Sequence, residues 1–152
     1  MLQKAWDFLR EHNEGVLATI SGSKPCLRAF QIMKQEGETL YFATAPQKEV
    51  YRQLQGNPNI EFMVLHGKVS VRCSGTAFFD VDDGTCHWIY DNNPVLPRLY
   101  TSYDKLVYFR MPAEHLEYFD LRPTPPVVLH YDINTDTVEG GFAGERFGMY
   151  KV

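Results

Sequence analysis

Short strand-like segments separated by turns fill the first half of this chain and restrict the folds open to it. The segments lie at residues 15–20, 27–34, 39–43, 60–66 and 69–79, and turns at 21–25, 35–38 and 67–68 join several of them. Consecutive strands with few helices between them favour antiparallel pairing over helical crossovers. The pattern therefore predicts a mainly β protein, an antiparallel barrel with peripheral helices, rather than a βαβ sheet.

Helices are predicted at the start of the chain and after the third strand. The first carries Leu2, Ala5, Trp6 and Leu9 on one face; the second spans about residues 46–55 and spaces Val50, Tyr51 and Leu54 for burial. Beyond residue 80 the pattern is weaker. We expect short helices at 85–91 and 95–103, strands at 106–111 and 115–121, and an apolar segment at 127–131.

Size and charge narrow the class of protein. The 152 residues suit one domain, 1–152, and the net charge of −4 argues against a nucleic-acid or anionic-membrane surface. No apolar run is long enough to span a membrane, and no signal-peptide pattern opens the chain. The three cysteines form no Cys-x-x-Cys pair. These features predict a reduced, cytoplasmic protein.

The segment from Thr39 to Pro58 indicates a phosphate site. It contains an apolar strand, a turn and a helix that opens near Lys48. A helix start exposes unpaired N–H groups and the positive end of the helix dipole, which suit a phosphate. Lys48 in the first helical turn and Arg28 on a neighbouring strand place two cations there. We therefore expect a phosphorylated ligand.

The ordered combination of segments resembles the pyridoxamine 5′-phosphate oxidase-like family of flavin-binding split β-barrels. It comprises the first helix, Gly-Val-Leu-Ala-Thr at 15–19, Pro25-x-x-Arg28-x-Phe30, Leu-Tyr-Phe-Ala-Thr at 40–44, Lys48 and Asn57-Pro58. The resemblance covers residues 1–79 well and the rest loosely. It implies a six-stranded antiparallel split barrel, dimeric, with FMN bound at the subunit interface.

The resemblance also implies a set of cofactor-binding residues. Arg28 and Lys48 would bind the FMN phosphate; Ala29, Phe30 and Gln31 would follow the isoalloxazine ring; and Phe42, Ala43 and Thr44 would line the ribityl chain and phosphate. Gln47 joins the phosphate shell if the match slips by one residue. As aromatic residues of strands, Phe30 and Phe42 suit a barrel core equally well. Trp88 and Tyr100 are candidates for stacking on the flavin from a partner subunit.

The implied activity is transfer of electrons from a reduced nicotinamide nucleotide through FMN to a small acceptor. Residues 120–124 resemble part of the substrate-binding tail of the vitamin-B6 oxidases, but Pro125-Pro126 follows and no basic cluster completes it. The chain is more similar to short members related to nitroimidazole-resistance reductases. A B6-phosphate oxidase with a diverged tail, a flavin carrier or sensor without turnover, and a related barrel using haem or a deazaflavin stay open. No side chain stands out as a general acid or base.

The remaining motifs give weaker evidence of a functional site. On a helix or a strand the side chains of adjacent residues point in different directions. One metal or nucleophilic site therefore rarely uses both Cys86 and His87 of the segment Cys86-His87-Trp88. Residues 80–84 resemble part of a calcium loop but lack its bidentate glutamate. The glycines of 140–144 follow no strand–helix unit that would indicate a nucleotide site. No metal site is expected.

Overall fold

The computed structural model describes residues 2–140 of the chain. Its helices are α1 (Gln3–Glu11), α2 (Glu49–Gly56), α3 (Asp83–Asn92) and α4 (Val95–Leu99), with a 3₁₀ turn at Tyr103–Lys105. Its strands are β1 (Glu14–Ser21), β2 (Lys24–Gln31), β3 (Lys34–Glu36), β4 (Thr39–Thr44), β5 (Asn59–His66), β6 (Val69–Thr76), β7 (Val107–Asp120), β8 (Val127–Asp132) and β9 (Thr137–Gly140). The glycine segment at 140–144 lies largely outside the described residues.

All strand pairs in the described residues are antiparallel and belong to one sheet. Its order is β2-β1-β5-β6-β7-β4-β3, with β8 added to β7 and β9 to β8. The β1–β2 and β5–β6 hairpins turn at Gly22 and Gly67, whose φ angles of 61° and 64° lie where a Cβ is unfavourable. The predicted turn at 67–68 is thereby confirmed.

The sheet curls until its two ends approach each other. Phe30 of β2 lies 6.0 Å from Phe42 of β4 and 6.1 Å from Phe109 of β7, measured between ring centroids. Yet β2 and β4 stand near opposite ends of the strand order. The aromatic side chains therefore fill the interior of a partly open barrel, and the predicted mainly β split-barrel class is confirmed.

Two helices pack against this barrel as their apolar spacing predicts. Ala5, Trp6 and Leu9 of α1 are buried, and so are Val50 and Leu54 of α2. The third predicted residue of α2, Tyr51, is half-buried and meets the Phe79 ring edge-on at 5.4 Å.

A second, smaller apolar cluster forms under α3 and α4. Its buried members are Cys86, Ile89, Leu96, Leu106 and Tyr108. The predicted helix at 95–103 is shorter than expected: α4 ends at Leu99, and the chain resumes as the 3₁₀ turn. Tyr90 stabilises the break, because its hydroxyl donates a hydrogen bond to the Tyr100 carbonyl at 2.7 Å.

Within residues 2–140 the sheet has nine strands, whereas the sequence analysis expected a barrel of six. The strands predicted at 106–111 and 115–121 are one continuous strand, β7, that passes through Pro112. Its first half pairs with β4, and its second half with β6 and β8. The pairing of β6 with β7 shifts register at Gly75, opposite the point where β7 changes partners. A Cβ at Gly75 would lie only 2.6 Å from the Pro112 oxygen. The missing side chain lets the two strands stay paired there.

No helix within residues 2–140 combines the length and apolar character needed to cross a membrane.

Candidate functional site

A cleft opens where the two ends of the curled sheet face each other. Its volume is about 210 Å³, and we call it the β2–β4 cleft. Predicted cofactor residues from both ends line it: Ala29, Phe30 and Gln31 from β2, and Ala43, Thr44 and Lys48 from β4 and the turn after it. These residues are far apart along the sheet, so only closure of the barrel brings them together.

A backbone hydrogen bond crosses this gap at one end. After β2 ends, the Met33 N–H donates to the Tyr41 carbonyl of β4 at 2.8 Å, and the Ile32 N–H donates to the Asn13 carbonyl at 2.8 Å. Met33 also lines the cleft. The two sheet ends are thus linked beside the cleft while β2 and β4 remain unpaired along it.

The far wall of the cleft is apolar and comes from α4 and its flanks. The side chains are Val95, Leu96, Leu99, Tyr100 and Leu106. Leu96 is buried, whereas Leu99 is 68% exposed. From this wall the sequence analysis named only Tyr100, as a residue that would reach the flavin from a partner subunit. In the structure Tyr100 lines the cleft of its own chain. The available signal was the set of apolar residues at 95, 96, 99 and 100. Trp88 lines a different surface cleft, beside Lys34 and Arg10.

Lys48 stands at the start of α2. It is the N-cap residue in extended conformation, one position before the first helical turn to which the sequence assigned it. Its side chain is exposed, and no side chain caps this helix N-terminus. In the described part of the chain no carboxylate lies within ion-pair distance of Lys48. Lys48 therefore places a cation at the cleft beside a helix N-terminus without a side-chain cap from the described residues.

Thr44 ends β4 at the same end of the cleft. The residue is only 3% exposed, and its hydroxyl Oγ1 has no hydrogen-bond partner within residues 2–140. A buried hydroxyl without a partner is unfavourable. Lys48, the α2 N-terminus and this hydroxyl together fit a ligand that carries a phosphate and further polar groups.

Arg28 does not line the cleft but takes part in a buried polar network. Its Nη1 donates to Thr19 Oγ1 at 2.6 Å, and its Nη2 donates to Gln53 Oε1 at 2.6 Å. The Thr19 hydroxyl donates to the same Gln53 oxygen at 2.6 Å. Arg28 and Phe30 share the inward face of β2, since alternate residues of a strand point the same way. The structure records no contact between Arg28 and Lys48.

Besides Arg28, two further predicted residues do not line the cleft, Phe42 and Gln47. Phe42 is fully buried, with its ring 5.1 Å from that of Phe62 and 5.3 Å from that of Phe109. Its side chain belongs to the barrel core, because β4 alternates between an inner and an outer face. Gln47 is an exposed residue of the turn before α2 and does not line the cleft.

The motifs set aside in the sequence have structural roles. Cys86 is buried, and burial, with Asp83 and Asp82 nearby, raises the pKa of its thiol, which disfavours a thiolate nucleophile. In the acidic turn, both Asp80 carboxylate oxygens accept from Arg110 at 2.9 Å, and Asp82 caps α3. Among residues 2–140, no three His, Cys, Asp or Glu side chains are placed to hold a metal ion.

Several solved structures share this fold. One is a protein related to general stress protein 26, of the pyridoxinephosphate oxidase family, from Clostridium acetobutylicum: TM-score 0.74, 13% identity, covering 90% of this chain and 96% of that one. An FMN-binding, pyridoxamine 5′-phosphate oxidase-related protein from Nostoc punctiforme has a TM-score of 0.70 and 12% identity over 92% of this chain and 93% of that one. A protein described as a 5-nitroimidazole antibiotic resistance protein from Bacteroides thetaiotaomicron has a TM-score of 0.63 and 14% identity over 76% of this chain and 81% of that one.

The fold alone does not choose the cofactor. A haem-binding protein from Mycobacterium smegmatis is also similar, with a TM-score of 0.65 and 15% identity over 76% of this chain and 52% of that one. At these identities the likeness concerns the fold only.

Family membership rests on the sequence itself. No curated protein sequence matches the chain significantly. The family model described as pyridoxamine 5′-phosphate oxidase matches residues 1–86, which is more than half of the chain. The matched region contains β1, β2, β4 and α2, the elements that supply the predicted residues of the cleft and the Arg28 network. This chain therefore belongs to the pyridoxamine 5′-phosphate oxidase-like family of split β-barrel proteins.

Proposed function

We propose that this protein binds FMN non-covalently in the β2–β4 cleft and uses it to pass electrons from a reduced nicotinamide nucleotide to a small acceptor. One observation carries the proposal. Barrel closure gathers residues that the family resemblance assigns to the flavin, from Ala29 to Lys48, around a single cleft. Bound FMN supplies the redox chemistry, and the protein supplies position, charge and access.

Each part of the cleft suits one part of FMN. Lys48 and the N-terminus of α2 bind the phosphate, with Arg28 as the second cation. The Thr44 hydroxyl forms a hydrogen bond with a polar group of the ribityl–phosphate chain. This bond removes the free-energy cost of burying the hydroxyl without a partner. The apolar wall around Leu96 and Leu99 covers the planar ring, and the strand segment 29–31 runs along it.

The alternative of B6-phosphate oxidation gains no support from the tail. Arg122, in the segment that resembles a substrate-binding tail, donates to both oxygens of Asp120, at 2.8 and 2.7 Å. Two of its five N–H donors are thereby paired with a carboxylate of the same segment. Among the described residues, the cleft lining also includes neither histidine nor cysteine, which many haem proteins use as axial ligands.

We further propose a homodimer that completes the flavin site. Val16, Leu27, Met63 and Leu65 lie on the outer face of β2, β1 and β5 and are 37–70% exposed; we call them the outer β-face patch. Val16 pairs with Met63 on one side and with Ala29 on the other. Because Ala29 also lines the cleft, a second subunit seated on this patch would reach the edge of the cleft.

Titration with FMN and riboflavin tests the phosphate end of the site. Lys48→Ala is expected to weaken FMN about tenfold, as loss of one charge-assisted hydrogen bond would. Riboflavin lacks the phosphate, so its affinity should stay unchanged. Lys68→Ala, which removes an exposed lysine from the β5–β6 turn, serves as the control. Fluorescence quenching measures both ligands.

Two results would contradict the proposal. One is a wild-type protein that is colourless and does not quench added FMN. The other is equal weakening of FMN and riboflavin by Lys48→Ala in a folded protein. Turnover is tested separately, by oxidation of reduced nicotinamide nucleotide with a panel of acceptors, and its absence with FMN bound would identify a carrier or sensor.

A further inference from the structure

The network around Arg28 contains two polar side chains that the interior would otherwise disfavour. Thr19 is 2% and Gln53 is 5% exposed. On α2, Gln53 shares the buried side with Val50 and Leu54, where an apolar residue would pack without the cost of desolvating an amide. Both polar side chains are directed at the same guanidinium.

The three side chains form a closed ring of hydrogen bonds. Thr19 Oγ1 accepts from Arg28 and donates to Gln53, so its direction of donation is set. Gln53 Oε1 accepts from both partners. Long arginine side chains lose rotamer freedom when they bind a ligand, and fixing the side chain beforehand lowers that cost.

The ring leaves part of the guanidinium available. Of its five N–H donors, Nη1 supplies Thr19 and, at 3.4 Å, the Leu17 carbonyl, and Nη2 supplies Gln53. Within residues 2–140, no acceptor is recorded for Nε–H or for the second Nη2 hydrogen. Two donors are thus free for an anion.

The network also connects Arg28 to the element that carries Lys48. Gln53 lies on α2, and helical side chains lean toward the helix N-terminus, which here follows Lys48. A hydrogen bond from Arg28 to Gln53 therefore ties the cation of β2 to the helix whose N-terminus faces the cleft.

We infer that Gln53 and Thr19 are positioning residues, which hold the Arg28 guanidinium with its free donors toward the phosphate of the flavin without touching the flavin themselves. This inference rests on the proposed FMN function. It makes recognition of the phosphate depend on a buried amide and a buried hydroxyl that the sequence analysis did not single out.

Isosteric substitutions test this dependence. Gln53→Met and Thr19→Val remove the hydrogen-bonding atoms with little change of volume. Each is expected to weaken FMN about threefold to tenfold, as loss of one or two hydrogen bonds would, and to leave riboflavin binding unchanged. Thr19→Ser keeps the hydroxyl and should restore wild-type affinity for FMN. Riboflavin binding and thermal melting confirm that each variant is folded.

The combination with Arg28→Ala decides whether the two residues act through Arg28. In that background, Gln53→Met should cause no further loss of FMN affinity. The inference is overturned if the losses multiply, if FMN and riboflavin weaken alike, or if Gln53→Met and Thr19→Val change neither ligand. If neither Gln53→Met nor Thr19→Val changes binding but Arg28→Ala still weakens FMN and not riboflavin, the proposed function stands and only this inference fails. A wild-type protein that binds no FMN overturns both.

Discussion

Neighbouring residues of β4 face different parts of the molecule. Leu40 and Phe42 enter the barrel core, while Tyr41 and Ala43 pack toward the cluster under α3 and α4. Thr44, on the core side at the end of the strand, reaches the β2–β4 cleft. A run of consecutive residues assigned to one ligand therefore includes side chains on the core face, such as that of Phe42.

Substitution of Phe42 separates these roles. Phe42→Ala should lower the free energy of unfolding by about 3–5 kcal/mol, because it leaves a cavity among Phe62, Phe109 and Phe30. Phe42→Leu should cost less. Urea denaturation measures both. A stable Phe42→Ala protein with a selective loss of FMN affinity would show instead that the ring contacts the cofactor.

At the scale of elements, α4 contributes a wall to the cleft but little to the barrel core. Leu96 points into the second apolar cluster, and Leu99, one turn later, is largely exposed at the cleft. A helix this short is held by its packing rather than by its own hydrogen bonds. Its two leucines should therefore respond differently to substitution.

Leu99→Ser is expected to weaken FMN and riboflavin equally, by about twofold to fivefold, because it removes apolar contact with the ring from an exposed position. The melting temperature should stay close to that of the wild type. Leu96→Ala, the matched variant, should lower the melting temperature. Unchanged binding of both ligands to Leu99→Ser would show that α4 does not cover the flavin.

The start of α3 should respond to acid. Asp82 accepts hydrogen bonds from the Thr85 N–H at 2.8 Å and the Thr85 hydroxyl at 2.9 Å, and these bonds hold the pKa of its carboxyl below the usual range. A lowered folded-state pKa means that its contribution is present above the ordinary value near 4 and is lost as the pH falls below it. Asp82→Ala should lower the melting temperature at pH 7.

The difference between wild type and Asp82→Ala should shrink as the pH falls below about 4. Asp82→Asn, which keeps a cap without a charge, should show a smaller dependence on pH than the wild type. Thermal melting across this range checks both. A difference that is constant with pH would mean that the carboxylate charge does not contribute.

At the scale of the whole molecule, the outer β-face patch borders the cleft at Ala29, which pairs with Val16 and lines the cleft. The patch crosses three strands, and its register pairs connect it to Ala29. Exposed apolar surface of this kind favours association, and a symmetric pair would bury both copies of the patch together.

Leu65→Asp should therefore produce a monomer with weaker flavin binding, because a carboxylate would be buried in the interface. Leu121→Asp, at a similarly exposed leucine after β7, is the control and should leave the protein dimeric. Light scattering measures the mass. A wild-type monomer at micromolar concentration with FMN bound would contradict the interface.

Local patterns were sufficient for five strands (β1, β2, β4, β5 and β6) and both amphipathic helices of the first half, but not for β3, whose residues Lys34–Glu36 overlap a predicted turn at 35–38. Alternation of apolar residues, turn residues such as Gly67 and the spacing of Ala5, Trp6 and Leu9 act over a few residues, so they can be read directly from the chain. The second half was harder to predict. Two strands were expected at 106–111 and 115–121, whereas β7 continues through Pro112 next to Gly75, a residue far away in sequence.

The sequence by itself determined the family, the residues of the cleft from β2 and β4, and the cation at the start of α2. Only the tertiary structure decided that Phe42 belongs to the core, that α4 forms the far wall, and that Arg28 is held by Thr19 and Gln53. The physical reason is distance along the chain: Arg28 and Gln53 are 25 positions apart, and their hydrogen bond exists only because the curled sheet brings β2 under α2.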